Sequence, residues 1–108
     1  MDIQLTKDAD KTLCEIYAAY LNRRSDGVPK RAAKDFQDED QFPDPDWTTP
    51  DGQESLSELK RAGMIKQYIY GGFCLKDEAI IYMENRFPKG LTDVLDWCAK
   101  IKSAIPFL

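Results

Sequence analysis

The run from residue 51 to residue 75 admits few folds. Leu56 and Leu59 are spaced as on the inner face of a helix. Gly63 is the expected stop. Residues 64–70 then hold Ile65, Tyr68, Ile69 and Tyr70, types that favour extended backbone. Gly71-Gly72 predicts a tight primed turn, whose central residues need positive φ. Phe73-Cys74-Leu75 predicts the returning strand. A helix handing over to a two-stranded ribbon leaves an apolar side that other elements must cover.

The flanking sequence supplies those elements. Leu13, Ile16, Tyr17, Tyr20 and Leu21 lie on one helical face and predict a long helix over residues 8–24. Thr6 or Asp8 caps its start, and Ser25-Asp26-Gly27 ends it. Pro29 opens a short second helix over residues 29–37, with Ala32, Ala33 and Phe36 as its apolar contribution. Pro43, Pro45 and Pro50 predict a loop over residues 37–50, which Phe42 and Trp47 pin to the body. Thr48, Thr49 or Asp51 caps the third helix, which runs to residue 62. Asp77 caps a fourth, over residues 78–86, with Ala79, Ile80 and Met83 inward. Pro88 and Gly90 break it. The fifth, over residues 91–103, carries the stripe Leu91, Val94, Leu95, Cys98, Ile101 and Ile105.

This order predicts a mainly α chain with a small β-hairpin, a winged helix-turn-helix plus a C-terminal helix. The stretch Leu56-Ser57-Glu58-Leu59-Lys60-Arg61-Ala62-Gly63-Met64-Ile65 resembles the LxxLxxxGxI join between recognition helix and wing in winged-helix proteins of the MarR, PadR and YjcQ kind. Leu75-Lys76-Asp77-Glu78-Ala79 sits where those families often have Leu-Thr-x-x-Gly, with Lys76 and Ala79 as departures. The resemblance covers roughly residues 8–87 and is closest to small bacterial or phage-encoded proteins. It implies a winged-helix domain over residues 1–90. Residues 91–108 then form a helix that folds back on the domain or pairs two copies.

Several chemistries find no support. The chain has no histidine. Its three cysteines, Cys14, Cys74 and Cys98, form no C-x-x-C pair, so neither zinc nor another cofactor is expected. There is no phosphate-binding glycine loop and no nucleophile elbow. Asp44 with Asp46, and Asp93 with Asp96, read as solvated surface acids. No apolar run reaches the roughly 18 residues of a membrane span, and the N-terminus lacks a signal-peptide pattern. A cytoplasmic, non-enzymatic protein is the expectation.

The net charge of −4 is unevenly spread. Residues 35–54 hold eight acids and no Lys or Arg, whereas the segments on either side each carry a surplus of bases. The resemblance implies that residues 51–62 enter a DNA major groove, with the hairpin on backbone or minor groove. The solvent face of that helix is expected to show Gln53, Glu54, Ser57, Glu58, Lys60 and Arg61. Of these, Gln53, Ser57, Lys60 and Arg61 are candidate DNA contacts, together with Lys30, Arg31, Lys34 and Lys66. The wing comprises Tyr68, Tyr70, Gly71, Gly72 and Phe73. A dimer interface, if helical pairing occurs, uses Leu91, Val94, Leu95, Trp97, Cys98 and Ile101. Two functions remain: a transcriptional regulator that binds double-stranded DNA, or an interaction module that binds a protein partner, even as a mimic of nucleic-acid charge. The pI near 4.8 and the acids beside the third helix favour the second; the habit of the fold favours the first.

Overall fold

The computed structural model describes residues 3–37, 42, 44–69 and 71–104, the side chains of 101–104 excepted. It is mainly helical with a small three-stranded antiparallel sheet. The elements run α1 (Lys7–Ser25), α2 (Lys30–Ala33), β1 (Asp35–Phe36), a 3₁₀ turn (Pro45–Thr48), α3 (Pro50–Arg61), β2 (Ile65–Gln67), β3 (Phe73–Leu75), α4 (Asp77–Arg86) and α5 (Leu91–Ala104).

The long helix forms as its pattern predicts. Leu13, Ile16, Tyr17 and Tyr20 are buried. Thr6 is the N-cap, its Oγ1 accepting from the Ala9 N–H. Gly27, at φ 91°, ends the turn that follows.

The second helix is shorter than expected. It ends at Ala33, and Asp35–Phe36 forms a strand instead. β1 pairs with β3, so the sheet order is β1-β3-β2 and the returning strand of the hairpin lies in the centre. Phe36 stacks on its cross-strand partner Phe73, with ring centroids 4.9 Å apart. Trp47 meets the Phe36 ring edge-on at 5.9 Å, and Phe42 packs against both Trp47 and Phe73. Burying rings of this size stabilises the fold by about 1.5–3 kcal/mol each, more than continuing α2 to residue 37 offers. Ala32, expected inside, is exposed.

The loop before α3 also gains structure. Pro45 and Pro50 each start a helical turn, where the missing N–H costs nothing. Trp47 is buried, as the loop-pinning reading requires. Thr49 is the N-cap of α3, its hydroxyl accepting from the Gly52 N–H. Leu56 and Leu59 face the core.

The hairpin turns one step earlier than Gly71-Gly72. The Gly71 N–H donates to Tyr68 O, and the Tyr68 N–H donates to Gly72 O. The turn therefore spans residues 68–71, and Ile69 stands at its outer corner. Gly71 takes the positive φ that ends such a three-residue loop. Gly72 has a second reason to be glycine: a Cβ there would lie 2.5 Å from both Phe36 O and Gln37 O, where β1 crosses. The expected strand over residues 64–70 is confined to Ile65–Gln67, and Tyr70 lies outside the described residues.

α4 begins at Asp77, with Lys76 in the cap position, so Asp77 is its first residue and not its cap. Ala79, Ile80 and Met83 are buried. α5 folds back onto α1, and Val94 is fully buried in the common core. Among the described residues, no helix is long and apolar enough to cross a membrane.

The two hairpin glycines should differ on substitution. Gly71→Ala meets open space and is expected to cost about 1–2 kcal/mol for its backbone alone. Gly72→Ala also drives a methyl group into two carbonyl oxygens and should cost clearly more. Urea unfolding of both variants checks the order.

Candidate functional site

α3 divides the surface it sits on. On one flank, α3 and the hairpin enclose a cleft of about 310 Å³. Gln53 and Lys60 line it from α3, and Gln67, Tyr68 and Ile69 line it from the hairpin. Its floor is Phe42, Leu56 and Phe73. No carboxylate lines this cleft among the described residues. On the other flank, α3 and α1 enclose a cleft of about 350 Å³ lined by Asp8, Glu15, Asp46 and Asp51, with Lys11.

Glu58 belongs to this second flank. It was expected on the solvent face of α3, but it is half-buried and turned toward α1. Thr6 donates to it twice, from its N–H at 2.7 Å and from its hydroxyl at 2.8 Å. A carboxylate near the start of α1 satisfies donors that the helix leaves free and suits the dipole. Asp44 acts similarly one step earlier in the loop, accepting from the Asp46 N–H.

The bases expected to meet DNA fall into three groups. Lys34 donates to Asp77 at 2.9 Å, which raises the lysine pKa and lowers that of the aspartate. Lys30 lies 4.0 Å from the same carboxylate. This pair sits where β1 and β3 meet α2 and α4, at the opposite edge of the sheet from the strand that α3 feeds. Arg31 is exposed on α2. Arg61 lies 3.8 Å from Glu54 on the outer face of α3. Lys60 and Lys66 are exposed, one in the cleft and the other on β2. The structure thus brings Gln53, Lys60 and the hairpin together and leaves Lys30, Arg31 and Lys34 apart. Gln53 is also pinned back: its Nε2 donates to Trp47 O at 2.8 Å. Ser57 is half-buried.

The residues expected in a wing divide between packing and display. Phe73 is buried. The Tyr68 hydroxyl donates to Asp35 Oδ1 at 3.0 Å; burial first, and then this bond, raises its pKa. Gln37 Nε2 donates to Asp35 Oδ2. Arg23 reaches from the end of α1 to Asp35 O at 2.6 Å and lies 4.1 Å from the centroid of the Phe36 ring. Ile69 is the contrast, at 105% relative exposure.

Of the residues expected at a dimer interface, Val94 is committed to the core. Leu91, Trp97 and Cys98 pack against it partly buried, and Leu95 is 51% exposed. The side chain of Ile101 lies outside the described residues. Arg86 ties α4 to α1 through both oxygens of Asp10, at 2.5 and 2.9 Å, and lies 4.9 Å from the Phe87 and Trp97 ring centroids. That pairing raises the arginine pKa.

No known protein family, curated protein or solved structure matches the chain. The site therefore rests on its own geometry.

That geometry was partly out of reach of sequence patterns. The links of Glu58 to Thr6, Arg23 to Asp35 and Asp10 to Arg86 join positions far apart in the chain, and no periodicity marks them. The acidic block was visible, but not that Asp46 and Asp51 turn to the α1 flank of α3. Asp38, Glu39 and Asp40 lie outside the described residues.

The cysteines offer no reactive centre of the usual kind. None of the three is in a disulfide, and Cys14 is fully buried. Burial first, then the charge of Asp10, pushes its thiol up to about 12. Among the described residues, no three of Cys, Asp or Glu converge as a metal site requires.

Alkaline pH should expose this burial. An unfolded thiol ionises near pH 8.5, whereas native Cys14 keeps its proton. Its contribution to stability is therefore complete below about pH 8.5 and is lost as the pH rises toward 12. Burial also raises the pKa values of Tyr17 and Tyr68, in the same direction. The urea midpoint should fall between pH 8 and pH 10.5, and less steeply in Cys14→Ala.

Proposed function

We propose that this chain is a small winged-helix DNA-binding protein, without catalytic activity, that acts as a transcriptional regulator. In this reading α3 enters the major groove and the hairpin lies over the neighbouring minor groove. One observation carries it. The cleft between α3 and the hairpin presents Lys60 and two glutamines with no described carboxylate, while Asp46, Asp51 and Glu58 turn toward α1 and Glu54 lies outside the cleft beside Arg61. A bulk pI of 4.8 therefore does not describe the face offered to DNA. The order of helices and strands, and the LxxLxxxGxI-like join, support the same reading by likeness of fold alone.

A second reading has its own support. Lys30, Lys34 and Arg61 lie beside acids, so no continuous basic strip forms from the expected contacts. A protein partner that recognises the hairpin would accommodate this better than a phosphate backbone does.

Fluorescence anisotropy with mixed-sequence duplex DNA at low salt separates the two. The DNA reading expects binding that weakens steeply with salt. Lys60→Ala and Lys66→Ala should each weaken binding and lower the slope of log affinity against log salt by about 1. Lys34→Ala, whose ammonium is engaged by Asp77, should change neither. Absence of duplex binding at low salt would sink the DNA reading and leave the protein-partner one.

A further inference from the structure

The tip of the hairpin is built in a way that its own folding does not require. Ile69 occupies the outer corner of the turn, where a side chain packs on nothing within the domain, and it is as exposed as in an extended chain. Turn corners normally hold proline, aspartate, asparagine, serine or glycine, each for a backbone reason. A β-branched apolar residue has no such reason and exposes hydrocarbon to water. The base of the hairpin, in contrast, is firmly held. Phe73 stacks on Phe36, and Tyr68 is hydrogen-bonded to Asp35. Gly72 lies directly against the β1 carbonyls. The result is a ribbon held at its base that displays the apolar side chain of Ile69 at its end.

The charges around this tip suit a polyanion. Lys66 is exposed on the strand leading to it, and Lys60 lines the cleft behind it. Asp35, at the other edge of the sheet, is occupied by Tyr68 and Gln37. We infer that Ile69 is an apolar wedge: when α3 lies in the major groove, the hairpin tip enters the minor groove, and Ile69 inserts between two base pairs and bends the duplex. Side chains of this type unstack a base step and kink DNA by about 20–90°. Insertion is cheapest at pyrimidine–purine steps, which unstack most readily. The wedge would thus give the protein a preference for flexible steps without any hydrogen bond to a base. This inference rests on the DNA-binding reading above.

Two measurements on one set of duplexes test it. The first is affinity by anisotropy. The second is bending by energy transfer between dyes at the duplex ends, with duplexes that place a TA step or a stiff A-tract at the centre. The native protein should bend the TA duplex by about 20° or more and prefer it to the A-tract. Ile69→Ala should still bind, yet lose both the bend and the preference. Ile69→Leu should keep them, because an apolar wedge of similar size remains. Binding by the native protein without a bend, or equal bending by Ile69→Ala, overturns the wedge and leaves DNA binding intact. A native protein that binds no duplex overturns the wedge and the DNA-binding reading together.

Discussion

The structure depends on β3 being paired on both sides. Phe73, at the start of that strand, rests on Phe36 of β1, and the alignment of the two rings sets much else. The chain after Ala33 must extend to bring Phe36 into register, so α2 ends early. Gly72 must lack a side chain for the two strands to pass. Trp47 then closes the aromatic cluster from the loop, and the Asp46–Trp47 backbone lies so near Gly52 that a Cβ there would collide with Asp46 O. That close fit, with the bond from Gln53 to Trp47 O, fixes where α3 begins and how it lies beside the hairpin.

Charge follows from the same placement. α3 is amphipathic across its width, but it is also divided along its two flanks. Asp51 and Glu58 lie on the α1 flank, whereas Gln53 and Lys60 lie on the hairpin flank. The carboxylate of Glu58 does structural work there, holding the first turn of α1. Helix N-termini favour anions, so Glu58 is stabilised against the start of α1, on the flank away from the hairpin. Net charge sums over both flanks and conceals the difference.

α5 belongs to the same core as the rest. Val94 is as deeply buried as any residue of α1, and Trp97 lies beside Arg86, whose guanidinium is held by Asp10. An ion pair that is only partly exposed, with rings nearby, keeps more of its strength than a fully solvated one. The C-terminal helix is thereby joined to α1 and α4, and among its described side chains Leu95 is a large apolar one left outward.

Local pattern was enough to establish the helices and the hairpin. Spacing marked the inner faces of α1, α3 and α4, because burial along a helix repeats with its turn. Glycine and proline marked most of the ends, because their backbone limits act within a few residues. Leu56, Leu59 and Gly63 therefore read correctly in isolation. β1 did not, since two residues carry no periodicity and Phe36 looks the same on a helix as on a strand. The hairpin corner at Ile69 was misplaced for a related reason: two glycines satisfied the turn rule, but one of them was needed for the crossing of β1. The direction taken by Glu58, Lys34 and Arg23 was settled only in three dimensions, since a charge turns to whichever partner the packed core leaves within reach.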